Sequence, residues 1–195
     1  RKMSIGDGGA GGAVTVGTDS TLTSPGGVRS LGGNSAAHTD VSQKVSLAGK
    51  GGVVTATAGI IPDLTPFSST GGNGGATDGT LTGWAGDPST TEKAGNGGDG
   101  GVVSVTVTGV AAYAPQILTV GGNAGNTEAV AEAGGAFSRV FNGVGGKGGD
   151  LTITQTSGTL NFGTGAGASI GSRGGNEVIS GSVTVGGFTD DMGGS

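Results

Sequence analysis

Few residues of this chain could perform acid–base or metal chemistry. His38 is the only histidine and there is no cysteine, so Cys–His catalysis is excluded and a metal site would need one imidazole and scattered carboxylates. Asp190 and Asp191 are adjacent, so in a strand they point to opposite faces and cannot form a facing acid–base pair. We therefore expect no enzymatic activity, with His38 solvated in a loop and the two aspartates in a soluble tail.

The glycine-rich tracts have only a superficial similarity to known ligand-binding loops. Gly145–Leu151 (GGKGGDL) is like a calcium-binding nonapeptide, but Thr152 stands where that repeat needs a large apolar residue, and the other three repeats have Ala or Val at the position of Asp150. Phosphate-binding glycine loops open a helix, whereas strand-like segments follow here. The sequence therefore predicts no catalytic residues, no cofactor, no metal and no bound nucleotide.

Composition restricts the partners and the setting. The net charge is −5 and the nine basic residues are scattered, which argues against nucleic acid. No apolar run approaches the ~20 residues that cross a bilayer, so no membrane span is predicted. Charged residues make up only 12% of the chain and cysteine is absent, and together with abundant Thr, Ser and Gly this favours an extracellular or cell-surface protein.

A Gly-Gly-led cassette occurs four times, at starts 40, 49 and 48 residues apart. Such self-similarity is typical of architectures in which each unit buries its apolar face against its neighbours. We interpret residues 1–195 as a single repeat domain with repeats at approximately 6–48, 49–97, 98–145 and 146–195. The cassettes are Gly9–Val16 (GAGGAVTV), Gly49–Ala56 (GKGGVVTA), Gly98–Val105 (GDGGVVSV) and Gly146–Ile153 (GKGGDLTI).

After each cassette, β-branched residues alternate with Thr or Ser, which predicts half-buried strands. A second strand is expected before each later Gly-Gly-Asn, in Thr21–Thr23, Asp63–Phe67, Gln116–Val120 and Thr159–Phe162. Two such strands per repeat predict two rungs per repeat and eight in all. Where Gly-Gly recurs every third residue, we expect extended polyglycine segments of the polyproline II type. The fold class is thus all-β, a glycine-rich parallel β-solenoid of about four two-rung repeats, with at most one or two helical turns in Asn126–Ala133.

The stretch Gly145–Asn176 (GGKGGDLTITQTSGTLNFGTGAGASIGSRGGN) resembles the glycine-rich repeats in passenger regions of autotransporter-type adhesins. That resemblance implies a parallel β-solenoid in an extracellular setting. We expect the chain to depart from that family in lacking a membrane-anchoring barrel and in being short.

The leading functional hypothesis is a structural subunit of an extracellular filament or matrix. Solenoid ends carry unpaired strand edges, and non-closing contacts between ends produce a head-to-tail homopolymer. The alternative is a surface adhesin or phage-tail-tip receptor-binding protein that uses loops Ser35–Ala48, Ala76–Ala94 and Gly125–Gly143, with cell-surface glycans as the expected partners. A third hypothesis is ice binding by a ladder of Thr15, Thr55, Ser104/Thr106 and Thr152/Thr154. Candidate interface residues are Trp84, Tyr113, Phe137, Phe141, Val183 and Val185.

Overall fold

The computed structural model describes most of the chain, in fourteen ranges. The described residues are 6–37, 46–62, 65–75, 77–81, 91–109, 111–113, 116–125, 127–131, 139–141, 143–157, 160–162, 169–176, 180–185 and 188–193. Within these ranges the chain is all-β and contains no helix.

Sixteen strands follow one another along the described residues. In chain order they are β1 (Val14–Thr21), β2 (Val28–Leu31), β3 (Val54–Ile60), β4 (Phe67–Thr70), β5 (Thr77–Leu81), β6 (Thr91–Lys93), β7 (Val103–Val107), β8 (Ala111–Tyr113), β9 (Gln116–Val120), β10 (Thr127–Ala131), β11 (Arg139–Phe141), β12 (Leu151–Gln155), β13 (Leu160–Phe162), β14 (Ser169–Arg173), β15 (Ser180–Val185) and β16 (Phe188–Gly193).

The cassette strands form one parallel sheet in the order β1-β3-β7-β12. Equivalent positions of successive repeats pair directly, so that Val54 pairs with Val14 on one side and with Val103 on the other. Val103 in turn pairs with Leu151. The four cassette strands are therefore adjacent and in register, as their aligned sequences predict.

A second parallel sheet has the order β2-β4-β9-β14. Each of its strands ends directly before a Gly-Gly-Asn. The inward side chains of both sheets form one hydrophobic core, because alternate residues of a strand point to the same face. The core residues are Val28, Val54, Ala56, Ala58, Ile61, Phe67, Val103, Val105, Val107 and Ile117.

Two two-stranded sheets and one more four-stranded sheet contain the other described strands. β6 pairs with β11 and β8 with β13, both in parallel. The third has the order β16-β15-β10-β5, and within it only the β15–β16 pair is antiparallel. The prediction of an all-β chain with parallel strands is thus confirmed.

The prediction of two rungs per repeat is wrong at the level of strand pairing. A second rung would insert a strand of the same repeat between β1 and β3, yet these two pair directly. The second strand of each repeat lies in a different sheet instead. Each repeat therefore adds one strand to each of the two four-stranded parallel sheets, and four repeats give four levels.

Two further local predictions need correction. Asn126–Ala133 holds strand β10 rather than helical turns, because Thr127–Ala131 pairs with β5 and β15 on its two sides. Of the predicted second strands, Gln116–Val120 is β9, but its sheet partner in the first repeat is Val28–Leu31 rather than Thr21–Thr23. The position relative to Gly-Gly-Asn, more than local apolarity, fixes which segment joins this sheet.

Candidate assembly interface

The glycine segments that lead into the cassette strands are hydrogen-bonded to one another from repeat to repeat. The Gly11 N–H donates to the Lys50 carbonyl, the Gly51 N–H to the Asp99 carbonyl, and the Gly100 N–H to the Lys147 carbonyl, each at 2.8 Å. The same bond recurs three residues away along the chain in both directions. These flanking bonds are Gly8 to Leu47, Val14 to Val53, Ala48 to Asn96, Val54 to Val102, Gly97 to Val144 and Val103 to Asp150.

The segments that begin at Gly-Gly-Asn form a second set with the same polarity. The Gly32 N–H donates to the Thr70 carbonyl at 2.8 Å, and equivalent bonds join the second repeat to the third and the third to the fourth. Three residues on, the Ser35 N–H donates to the Asn73 carbonyl at 3.1 Å. In both sets, the N–H of one repeat meets the carbonyl of the next repeat along the chain.

A third set of bonds links the two kinds of glycine segment alternately. Each glycine N–H donates to a glycine carbonyl of the opposite segment, and the bonds are 2.7–2.9 Å long. The donors and acceptors run in a continuous path through all four repeats. The path is Gly9, Gly33, Gly49, Gly72, Gly98, Gly122, Gly146 and Gly175.

Backbone packing at this density leaves no room for side chains on the glycines. A Cβ built on Gly98 would lie well under 3.0 Å from the Gly49 carbonyl oxygen, closer than real Cβ atoms approach. The equivalent Cβ on Gly49 would meet the Gly9 carbonyl, and that on Gly146 the Gly98 carbonyl. Because each of these glycines lacks a side chain, the carbonyl of the preceding repeat can occupy that space.

A column of buried hydroxyl groups joins the glycine segments to the second sheet. The Ser69 hydroxyl donates to the Gly52 carbonyl at 2.6 Å and accepts from the Gly101 N–H at 3.1 Å. Ser30 makes the equivalent two bonds one level earlier, and Thr119 donates to the Gly149 carbonyl. The hydroxyls thereby satisfy backbone groups that are part-buried or, at the Gly101 N–H, buried.

An asparagine ladder follows the outside of the Gly-Gly-Asn segments. The Asn34 side-chain Oδ1 accepts from the Asn73 N–H at 2.8 Å, Asn73 Oδ1 from the Asn123 N–H at 2.9 Å, and Asn123 Oδ1 from the Asn176 N–H at 2.9 Å. All four asparagines are exposed. Each repeat is thus tied to the next by side-chain bonds as well as by backbone bonds.

The core is less covered at both ends of the stack than at its middle. Val54 and Val103 are fully buried, whereas Val14 at one end and Leu151 at the other are only half-buried. This difference follows directly from position, since a terminal strand has a neighbouring repeat on one side only.

The ends also differ from the middle in their backbone groups. Among the described residues, no N–H group of another repeat donates to the carbonyls of Ala10 and Leu31, although the equivalent Lys50 and Thr70 carbonyls accept a bond from the preceding repeat. A Cβ on Gly9 or on Gly12 would meet no atom within 4 Å. In the part of the chain that the structure describes, the end at the first repeat therefore has unused acceptors and space for another repeat.

At the fourth repeat the unused groups are mainly donors. The N–H groups of Gly145, Gly148 and Gly174 make no hydrogen bond within the described structure, whereas the equivalent groups of the third repeat, such as Gly100 N–H, donate onward. We call the first end the acceptor end and the second the donor end. Together they form the candidate assembly interface.

The role of the sequence-predicted interface residues stays a prediction. Trp84 and Phe137 lie outside the described residues, as does His38. Tyr113 ends β8 and Phe141 ends β11, but in different sheets. Val183 and Val185 belong to β15, whose two edges pair with β10 and β16.

Strands lie in segments that the sequence predicts to be recognition loops or a soluble tail. The predicted recognition loops Ala76–Ala94 and Gly125–Gly143 each contain two strands, which are β5 and β6 in one and β10 and β11 in the other. Asp190 and Asp191 lie in β16 rather than in a soluble tail. Their pairing to Val183 and Ser182 gives the last parallel strand a charged antiparallel neighbour.

Sequence reasoning missed the hydroxyl column and the significance of the first cassette glycines. A signal for the column was available, because a Ser or Thr stands two residues before each Gly-Gly-Asn, at Ser30, Ser69, Thr119 and Ser172. The open spaces at Gly9 and Gly12 have no sequence signal of their own, since these glycines match those of the inner repeats.

Nothing in the described part of the chain points to a bound group. No cluster of His, Asp or Glu there could hold a metal ion. No helix there has the length and apolarity needed to cross a membrane. Comparisons with protein-family models, with curated proteins and with solved structures give no match for this chain.

Proposed function

We propose that the chain is a short parallel β-solenoid with one coil per repeat, and that copies of it stack head to tail as the structural subunit of an extracellular filament. Hydrogen bonds at every third residue support an extended, polyproline-II-like form for the glycine segments, which has three residues per turn. The observation that carries the proposal is the complementarity of the acceptor end and the donor end.

The backbone groups at the two ends correspond one to one. Within the chain, the Gly51 N–H bonds the Asp99 carbonyl and the Gly100 N–H bonds the Lys147 carbonyl. By the same rule, the Gly148 N–H of one copy meets the Ala10 carbonyl of the next. The Gly174 N–H likewise meets the Leu31 carbonyl, as Gly32 meets Thr70 inside the chain. Stacking thus continues both hydrogen-bonded sets without a change of register.

The steric fit agrees with the polar fit. Inside the chain, the position of Gly12 is occupied by Gly52, Gly101 and Gly149, and each of these faces a carbonyl of the preceding repeat at a distance that excludes a Cβ. Of these four equivalent glycines, only Gly12 faces open space. A Cβ at Gly12 would meet no atom of the monomer, but it would collide with a carbonyl of another copy stacked on this end.

Apolar contact adds to the driving force for stacking. In a stack, Val14 would pair with Leu151 of the adjoining copy, and Val16 with Ile153, as their equivalents Val54 and Val103 pair inside the chain. These half-buried side chains would then become as buried as the inner ones. Burial of apolar surface stabilises by roughly 25 cal/mol per Å².

The antiparallel strand β16 is compatible with this arrangement. It lies beyond β15, at the level that the first repeat of the next copy would occupy. The described part of the first repeat contributes no strand to this sheet, which begins with β5 of the second repeat. β16 would therefore lie between β15 of one copy and β5 of the next.

The test compares the purified wild-type chain with Gly12→Ala and with a control, Gly171→Ala, by electron microscopy and sedimentation. Gly171 also has open space at its Cβ position, but it pairs with Leu118, in a column where other repeats carry side chains. We expect filaments from the wild type and from Gly171→Ala. Gly12→Ala should remain monomeric with an unchanged circular dichroism spectrum.

Two results would contradict the proposal. One is a wild-type chain that stays monodisperse and monomeric at high concentration. The other is Gly12→Ala assembling as well as the wild type, because a methyl group there should displace the carbonyl of the adjoining copy.

A further inference from the structure

The outer face of the first sheet carries hydroxyl groups in two columns, which we call the hydroxyl face. Pairing places Thr15, Thr55, Ser104 and Thr152 side by side in one column. Two residues further along the strands, Gly17, Thr57, Thr106 and Thr154 form the second. The seven side chains that bear hydroxyls are all exposed or half-exposed.

None of these seven hydroxyls has a hydrogen-bond partner in the described structure, in contrast to the hydroxyl column of Ser30 and Ser69. The difference follows from the side of the sheet, since Thr55 and Thr57 point away from the core that Val54 and Ala56 fill. Every hydroxyl of this face is therefore available to an external partner.

The face is regular in two directions and firmly supported. Neighbouring parallel strands are ~4.8 Å apart, and residues two apart along a strand are separated by about 6.6 Å. The inward neighbours Val54, Ala56, Val103 and Val105 are fully buried, so the strands cannot tilt independently. Hydroxyl groups thus repeat at these two spacings over the face except at Gly17, and all of these side chains but Ser104 also carry a methyl group.

The face is also uncharged over both columns. The nearest charged residues along the strands are Asp19, two residues after Gly17, and Asp150, two residues before Thr152. A protein or a polyanion would be recognised by charged or large apolar groups, which these columns lack. A neutral lattice of oxygen atoms is the partner that matches them.

We infer that the hydroxyl face binds the surface of ice. Its two spacings approach repeats of the oxygen lattice in hexagonal ice, and threonine offers a hydroxyl to bond lattice water and a methyl group to order it. Water bridging between fixed polar groups is enthalpically close to direct bonding. This activity is independent of the filament, although stacking would extend the first column from Thr152 of one copy to Thr15 of the next.

The test measures thermal hysteresis and inhibition of ice recrystallisation for the double variant Thr57→Lys/Thr106→Lys. The control is Thr70→Lys, which adds one lysine to the outside of the second sheet. All variants are made in the Gly12→Ala background, so that the result does not depend on assembly. We expect loss of both activities in the double variant, retention in the control, and unchanged circular dichroism spectra in both.

Three outcomes would overturn the inference. The reference protein could show neither activity, or the double variant could keep both. The third is co-sedimentation with crystalline cellulose or chitin that depends on Thr57 and Thr106 in a protein without ice activity, which would assign the face to a polysaccharide surface.

Discussion

Replacement of Gly98 by alanine tests whether the repeats pack glycine against carbonyl. Gly98 lies in the third repeat, where its N–H donates to the Gly72 carbonyl at 2.9 Å and its own carbonyl accepts from the Gly122 N–H at 2.8 Å. A Cβ there would collide with the Gly49 carbonyl. The matched control is Gly9→Ala, at the same cassette position, where a Cβ meets no atom within 4 Å.

The expected magnitude follows from these contacts. Overpacking costs about 1–3 kcal/mol, and the displacement weakens two backbone hydrogen bonds that each contribute about 1 kcal/mol. The stiffer unfolded chain offsets this by about 0.4–1 kcal/mol, because neither glycine has a positive φ. We expect Gly98→Ala to lower the free energy of unfolding by about 3 kcal/mol and Gly9→Ala to leave it unchanged or slightly raised.

The assay is urea and thermal unfolding followed by circular dichroism, with both substitutions made in the Gly12→Ala background so that assembly does not contribute. For a chain of this length, the destabilisation corresponds to a fall in Tm of about 6–12 °C. Equal effects of Gly98→Ala and Gly9→Ala would refute the reasoning, since only the inner glycine faces a preceding repeat.

Three other substitutions probe the core, the hydroxyl column and one turn. Phe67 is fully buried, so Phe67→Ala should lower the free energy of unfolding by about 3–5 kcal/mol, against less than about 1 kcal/mol for Ile60→Ala at a position that is 44% exposed. Ser69→Ala leaves a buried carbonyl and a buried N–H unpaired and should cost about 1–3 kcal/mol, whereas Ser68→Ala on the outer side of the same strand should change little. Gly27 has a φ of 82°, so Gly27→Ala should cost about 1–2 kcal/mol. Denaturant unfolding measures all three, and a Ser69→Ala variant as stable as Ser68→Ala would contradict the role given to the hydroxyl column.

The cassette strands could be predicted from sequence because each combines a fixed start with strict alternation. Val54 and Val103 align position by position in the sequence, and they pair in the structure. Alternation also assigned the two sides of the sheet, since Val105 is buried and Thr106 is not. Local pattern suffices here because one face is apolar throughout.

The number of levels could not be predicted in the same way. Sequence distance shows that a repeat holds two strands, but it does not show whether they share a sheet. That choice depends on the glycine segments, which hold β1 beside β3 through bonds such as Gly11 to Lys50. Contacts between distant backbone atoms leave no periodic trace in the side chains.

The strand at 127–131 was mistaken for helical turns for a related reason. Glu128 and Ala129 favour helix locally, yet this segment pairs on both sides with β5 and β15. Tertiary pairing overrides a weak local preference in a segment this short. The sequence predicts that the two ends of the stack contact other copies, but which backbone groups are unpaired there follows only from the structure.

The axial repeat of the assembled protein tests the central claim most directly. Four levels per chain and a continued register require a subunit rise of about 19 Å along the fibre, four times the ~4.8 Å strand spacing. Helical reconstruction from electron micrographs measures this value. A rise near 19 Å with β12 of one copy beside β1 of the next is the predicted result, whereas a closed oligomer or a rise that is not four strand spacings would contradict the account.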